Sequence, residues 1–252
     1  MNPDTGLQRF FIELSFRGTN YHGWQRQDNA HSVQAELEAA LSVFFREPLL
    51  TTGAGRTDTG VHAKQFFAHF DLPAAKIVPE EAAYHLNSLL PADISVKRIF
   101  PVDSGLHARF DAISRTYEYH IYFEKNPFLY GNASYQPVKP SLDKMNEAAN
   151  CLFEYEDFTS FCKTGADQKH YNCTISRAGW VESGSCYIFT ISANRFLRNM
   201  VRAIVGTLLE AGRGEITTVD FKNIIEGKRR SEAGMSVPAC GLYLTEIVYK
   251  NF

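Results

Sequence analysis

"SRTYEYHIYF", Ser114–Phe123, alternates without a break. Successive side chains of an extended chain point to opposite sides, so Tyr117, Tyr119 and Ile121 share one face and Glu118, His120 and Tyr122 the other. The stretch reads as a half-buried strand, and it opens a second round of elements that echoes a first. In the first round, "RFFIELSFRG" (Arg9–Gly18) predicts a strand ending at Gly18. "SVQAELEAALSVFF" follows as a helix with Ser32 as its N-cap and Val33, Leu37, Ala40, Leu41 and Phe44 at helical spacing. "QFFAHFDL" is a second strand, "PEEAAYHLNSLLP" a short helix stopped by Pro91, and "DISVKRIFPV" a third strand.

The second round continues from Ser114 in similar order. "LDKMNEAANCLFEYEDF" carries Met145, Ala148, Ala149 and Leu152 on one stripe, and "RAGWVESGSCYIFTISAN" predicts a hairpin turning at "ESGS". "RFLRNMVRAIVGTLLEAGRG" reads as one helix from Arg195, placing Arg195, Arg198 and Arg202 on the same side. A short helix (Val219–Glu226) and a last strand, "GLYLTEIVYK", complete the round. The pattern predicts an α+β fold in two halves, residues 1–107 and 108–252, with antiparallel sheets joined around a cleft. No internal sequence repeat accompanies the echo.

Composition narrows the class. Hydrophobic residues make up 44% of the chain and charged residues 21%, ordinary values for a globular protein. The opening "MNPDTGLQRFF" lacks the basic-then-apolar layout of a signal peptide, and no segment approaches a membrane span. Five widely spaced cysteines without a C-x-x-C pair argue against a disulfide framework or zinc ribbon and for a reducing cytoplasm. The net charge of −2 gives no global attraction to nucleic acid. Binding needs only a local basic surface, and two clusters offer one: Arg195, Arg198 and Arg202, and Lys228, Arg229 and Arg230.

The segment "GAGRTDTGVHA" (Gly53–Ala63) contains a single acid, Asp58, between two threonines and two residues beyond Arg56. Its glycines are spaced G-x-G-x-x-x-x-G, which fits neither phosphate-cradling pattern. On spacing alone Asp58 is a turn residue or a carboxylate held for chemistry. His62 and His69 lack a carboxylate–histidine pattern and make poor metal ligands. Ser160, Cys162 and Cys173 have no base at motif spacing, so a serine or cysteine nucleophile is unsupported.

"GRTDTGVHA" resembles the active-site signature of the TruA family of tRNA pseudouridine synthases. The resemblance continues in family order through "YHGWQRQ", "LNSLLPADI", "SRTYEY", "EDFTSF", "NRFLRNMVRAIVGTLLEAGRG" and "VPACGLYL". It implies two ferredoxin-like halves, a homodimer, and tRNA as substrate, at uridines 38 to 40 of the anticodon arm. No cofactor or metal is implied. Asp58 matches the family's catalytic aspartate, and Arg202 the arginine that pairs with it. Tyr117 matches the tyrosine that stacks on the target uracil, Arg56 the arginine associated with displacing the base, and Leu242 an apolar residue lining the uracil pocket. Whether Asp58 attacks the sugar, adds to the base or removes a sugar proton stays open. Tyr21, Trp24 and Gln25 read equally as RNA contacts or as a packed turn. Glu156 departs from the family, which often carries histidine before "DFTSF".

Overall fold

The computed structural model describes residues 6–165 and 170–250; the opening five residues, part of the stretch read for a leader, lie outside them. In chain order the first elements are β1 (Leu7–Phe16), α1 (Val33–Phe45), β2 (Thr52–Gly53), β3 (His62–Pro73), α2 (Pro79–Leu89) and β4 (Ile94–Val102). There follow β5 (Ala112–Tyr122), β6 (Ser134–Tyr135), α3 (Leu142–Asn150), β7 (Ile175–Ser183), β8 (Cys186–Ala193), α4 (Met200–Arg213), α5 (Thr218–Gly227) and β9 (Leu242–Tyr249). The fold is α+β. It divides into two compact units, one ending at Ile113 but regaining the chain from Leu244, the other spanning Ser114–Tyr243.

In the first unit the strand order is β4-β1-β3-β9, with β2 beside β3. β1 runs antiparallel to both neighbours, setting Phe11 opposite His69 and Phe100. α1 starts where the sequence predicts: Ser32 Oγ accepts the Ala35 N–H at 3.4 Å, and Val33, Leu37, Ala40 and Leu41 are buried. α2 is tied to β4 by Asn87, which donates to the Val96 carbonyl (2.8 Å) and accepts the Val96 N–H (2.7 Å). Tyr249 of β9 presents its ring edge to Phe11 and Phe67, with centroids at 5.5 and 5.3 Å, and donates its hydroxyl to the Ala108 carbonyl.

In the second unit β8 lies between β5 and β7, antiparallel to both, and β6 pairs parallel with β5. The β7–β8 hairpin turns as expected within "ESGS", with Gly184 at φ 58°. Tyr119 and Ile121 are fully buried on the face their alternation predicts.

One expectation is corrected. The arginine helix begins at Met200, not Arg195, because Asn199 takes the left-handed conformation (φ 66°, ψ 5°) and interrupts helical geometry. Arg195 and Arg198 therefore precede α4, and only Arg202 stands on it. The helix ends as the sequence predicts, with Gly214 left-handed at φ 76° and its N–H returned to Ala211 and Glu210.

Candidate active site

Asp58 and Arg56 stand on the loop between β2 and β3, in the first unit. Its geometry is set by backbone contacts. Gly60 has φ 80°, and its N–H donates to the Tyr21 carbonyl at 3.2 Å. The Asp58 carbonyl accepts the Val61 N–H at 3.1 Å, closing a tight turn around the acid. Thr57 Oγ1 accepts the Trp24 N–H at 3.0 Å, and Ala54 N–H donates to the Phe67 carbonyl at 2.7 Å. The result is a half-buried carboxylate on a loop fixed at both ends, with Arg56 exposed beside it.

"YHGWQ" is resolved as a packed turn supporting this loop. Tyr21 and Trp24 are buried, and Trp24 packs tilted against Phe66 of β3 with ring centroids 4.2 Å apart. Tyr21 donates its hydroxyl to Asp93, and burial together with that carboxylate pushes its phenol well above the usual range. Behind the turn, the buried Glu38 carboxylate accepts from Thr51 N–H (2.8 Å), Thr51 Oγ1 (3.1 Å), Gln34 (3.0 Å) and Arg26 (3.2 Å). Thr51 leads directly into β2, so this carboxylate anchors the entry to the Asp58 loop.

Tyr117, Arg202 and Leu242 belong to the second unit. Tyr117 is half-buried on β5, opposite Ile191 of β8, and meets Phe196 edge-on at 5.1 Å. Arg202, half-buried on the first turn of α4, donates from Nε to the Val237 carbonyl at 2.8 Å. Its own carbonyl accepts the Val237 N–H at 3.2 Å. Leu242 is buried at the start of β9. Two residues along β5 from Tyr117, the fully buried Tyr119 donates to the Pro238 carbonyl at 2.8 Å; burial raises its phenol far above the ordinary value.

The remaining candidates have structural partners. Arg195 lies against the ring of His170, with Nη1 2.9 Å from Nε2. His62 Nδ1 accepts the Gly18 N–H (3.0 Å), and His69 Nδ1 the Ala108 N–H (3.1 Å). Burial raises the thiols of Cys151, Cys162, Cys173 and Cys240, Cys173 to about 11, which keeps them as poorly nucleophilic thiols near neutrality. Ser160 is buried and donates to the Ile224 carbonyl at 2.6 Å. Sequence reasoning missed the carbonyl of Val237 as a partner of Arg202; "VPACGLYL" signalled the segment, but a backbone acceptor leaves no side-chain trace.

Comparison with known proteins identifies the class. Residues 14–111 and 149–250 match the tRNA pseudouridine synthase family; Asp58, Arg202 and Leu242 fall inside these stretches and Tyr117 between them. The chain is thus a pseudouridine synthase, an isomerase. It is 50% identical over 251 residues to tRNA pseudouridine synthase A of Porphyromonas gingivalis, covering 97% of this chain and 98% of that protein. It is 49% identical over 245 residues to the enzyme of that name from Parabacteroides distasonis, covering 96% of each. The Bacillus subtilis protein of the same name is 39% identical over 247 residues, covering 96% of this chain and all of that one. The chain belongs to the tRNA pseudouridine synthase family.

Proposed function

We propose that this enzyme converts uridines 38 to 40 of the tRNA anticodon arm to pseudouridine, with Asp58 as the catalytic carboxylate. The observation that carries the reading is the Asp58 loop. A single acid is held half-buried at the turn of a loop whose backbone is fixed by Trp24, Tyr21 and Val61. In the isomerisation the N1–C1′ bond of uridine breaks and uracil rotates. A C5–C1′ bond forms, the C5 proton leaves, and N1 gains a proton. Atoms and electrons balance without a cofactor. The reaction needs a carboxylate acting as nucleophile or base beside the nucleotide.

Arg202 serves in this reading as the cation that keeps Asp58 ionised, since a carboxylate removed from water otherwise tends to hold its proton. Tyr117 offers an aromatic face for the extruded uracil, a contact worth roughly 1–3 kcal/mol. Arg56 takes the place of the displaced base or binds a phosphate, and Leu242 lines the pyrimidine pocket. The enzyme works in the cytoplasm as a homodimer.

Asp58→Asn keeps the side-chain size and removes the charge. Tritium release from C5-labelled uridine in tRNA is expected to vanish, while tRNA binding persists. Appreciable release by the purified variant would refute the assignment. Mapping pseudouridine in tRNA from cells lacking the gene tests the position: uridines should persist at 38 to 40.

A further inference from the structure

Lys228, Arg229 and Arg230 read in sequence as a basic cluster for RNA phosphates, and each has an intramolecular partner in the fold. Lys228 Nζ lies 2.7 Å from Asp157, and Arg229 pairs with Glu232. Arg230, half-buried, donates from Nη1 to the carbonyls of Ala233 (3.0 Å) and Gly234 (3.1 Å), and from Nη2 to Ser236 Oγ (2.8 Å). It is thereby bonded to three residues of the segment 233–238, a strap with no helix or strand bonding of its own.

The strap is fastened along α4. Gly234 N–H donates to Thr207 Oγ1 (2.9 Å), and Asn199 Nδ2 donates to Ser236 Oγ. The Met235 carbonyl presses so closely on Gly206 that a β-carbon there would lie 1.9 Å from its oxygen. From its far end the strap supplies two acceptors to the site. The Val237 carbonyl takes Arg202 Nε at 2.8 Å, and the Pro238 carbonyl takes the Tyr119 hydroxyl at 2.8 Å. Outside a helix or strand the strap is held by a few separate bonds, the Val237 N–H to the Arg202 carbonyl among them, and a guanidinium can hold three acceptors at once where an ammonium cannot match the fork.

We propose that Arg230 is a positioning residue: it locks the 233–238 strap, whose Val237 carbonyl in turn orients the Arg202 guanidinium for its work on the substrate side. The proposal rests on the reading of Arg202 as the cation of the Asp58 chemistry.

The test uses the full chain with Arg230→Met, Arg230→Lys and Ser236→Ala, each alone and the first also combined with Arg202→Met. Single-turnover tritium release from bound tRNA is followed across pH, alongside tRNA affinity against salt and hydrogen exchange of peptides covering 233–238. Arg230→Met should slow turnover roughly ten- to hundredfold, the scale of a displaced catalytic group. Its rate–pH profile should move in the direction seen for Arg202→Met, and the strap amides should exchange faster. Affinity and salt slope should stay unchanged, and Arg230→Lys should recover part of the rate. In the Arg202→Met background Arg230→Met should cost little more, because both act through one group. Ser236→Ala, which removes one acceptor, carries the same test if Arg230→Met does not fold.

A wild-type rate, unchanged strap exchange, or a fully additive double variant would overturn the proposal. So would weaker tRNA binding with a shallower salt slope, the mark of a phosphate contact. If Arg202→Met alone kept the wild-type rate, the reading of Arg202 would fail separately, whatever the strap exchange showed.

Discussion

Gly23 lies against the backbone of Thr57, so close that a β-carbon on it would stand 2.2 Å from the Thr57 carbonyl oxygen. Its φ of 88° is also one that residues with a side chain rarely adopt. Gly23→Ala therefore meets two penalties, strain at its own backbone and displacement of the residue before Asp58. Destabilisation of about 2–4 kcal/mol is expected, with turnover falling further than the folded fraction does. Urea unfolding and single-turnover tritium release on the same preparation separate the two effects; a drop in stability with full activity would show that the loop does not depend on this contact.

Arg202→Met keeps part of the side-chain packing and removes the cation. If Arg202 holds the catalytic carboxyl ionised, the rate near neutral pH should fall sharply and recover partly in alkali. Arg202→Lys should fall between methionine and wild type, because a point charge cannot reproduce the oriented guanidinium contact. Single-turnover rates against pH decide it. A methionine variant with the wild-type profile would remove Arg202 from the chemistry.

His69 gives the first unit a specific acid sensitivity. Burial, then the Arg9 guanidinium and His107, lower its pKa from 6.5 to about 4. Between those values the unfolded chain binds a proton that the folded one lacks, so stability rises with pH across the window. It is complete above about 6.5 and lost as pH falls towards 4, by about 3 kcal/mol in all. His69→Asn offers an acceptor to the Ala108 N–H without the titration. Urea midpoints at pH 7 and 4.5 should fall less for the variant than for wild type, and equal losses would contradict the account.

tRNA affinity should depend on salt despite the net charge of −2. Each phosphate neutralised by a lysine or arginine contributes about −0.7 to −0.9 to the log–log slope. A titration from low to physiological salt measures it; a flat response would exclude phosphate contacts as the main source of binding.

The elements legible from sequence are those whose cause is local. Ser32 caps α1 and β5 alternates because side-chain chemistry and strand geometry act over a few residues. The start of α4 escaped because "RFLRNMVRA" keeps an apolar period through Asn199, whose left-handed backbone depends on contacts such as its bond to Ser236, far along the chain. The partners of the Lys228–Arg230 cluster were hidden for the same reason: they are Asp157, Glu232 and carbonyls that no charge count registers. The two-residue strands β2 and β6 have no periodicity to read. The candidate site residues rest chiefly on ordered motifs, since spacing alone favoured Asp58 as a turn residue.

The return of β9 to the first unit sets an order of assembly during translation. The ribosome delivers β1, β3 and β4 early, yet residues 244–250 emerge only after the whole of the second unit. Until then only the short β2, opposite Ala68 and His69, pairs that edge of β3, and the rings of Phe11 and Phe67 lack the Tyr249 edge that covers them. A largely unpaired apolar edge on a nascent chain is a template for wrong pairing. The part of the enzyme made first is therefore the part that finishes last, and slow synthesis of the second unit prolongs the interval in which its open edge needs protection from other chains.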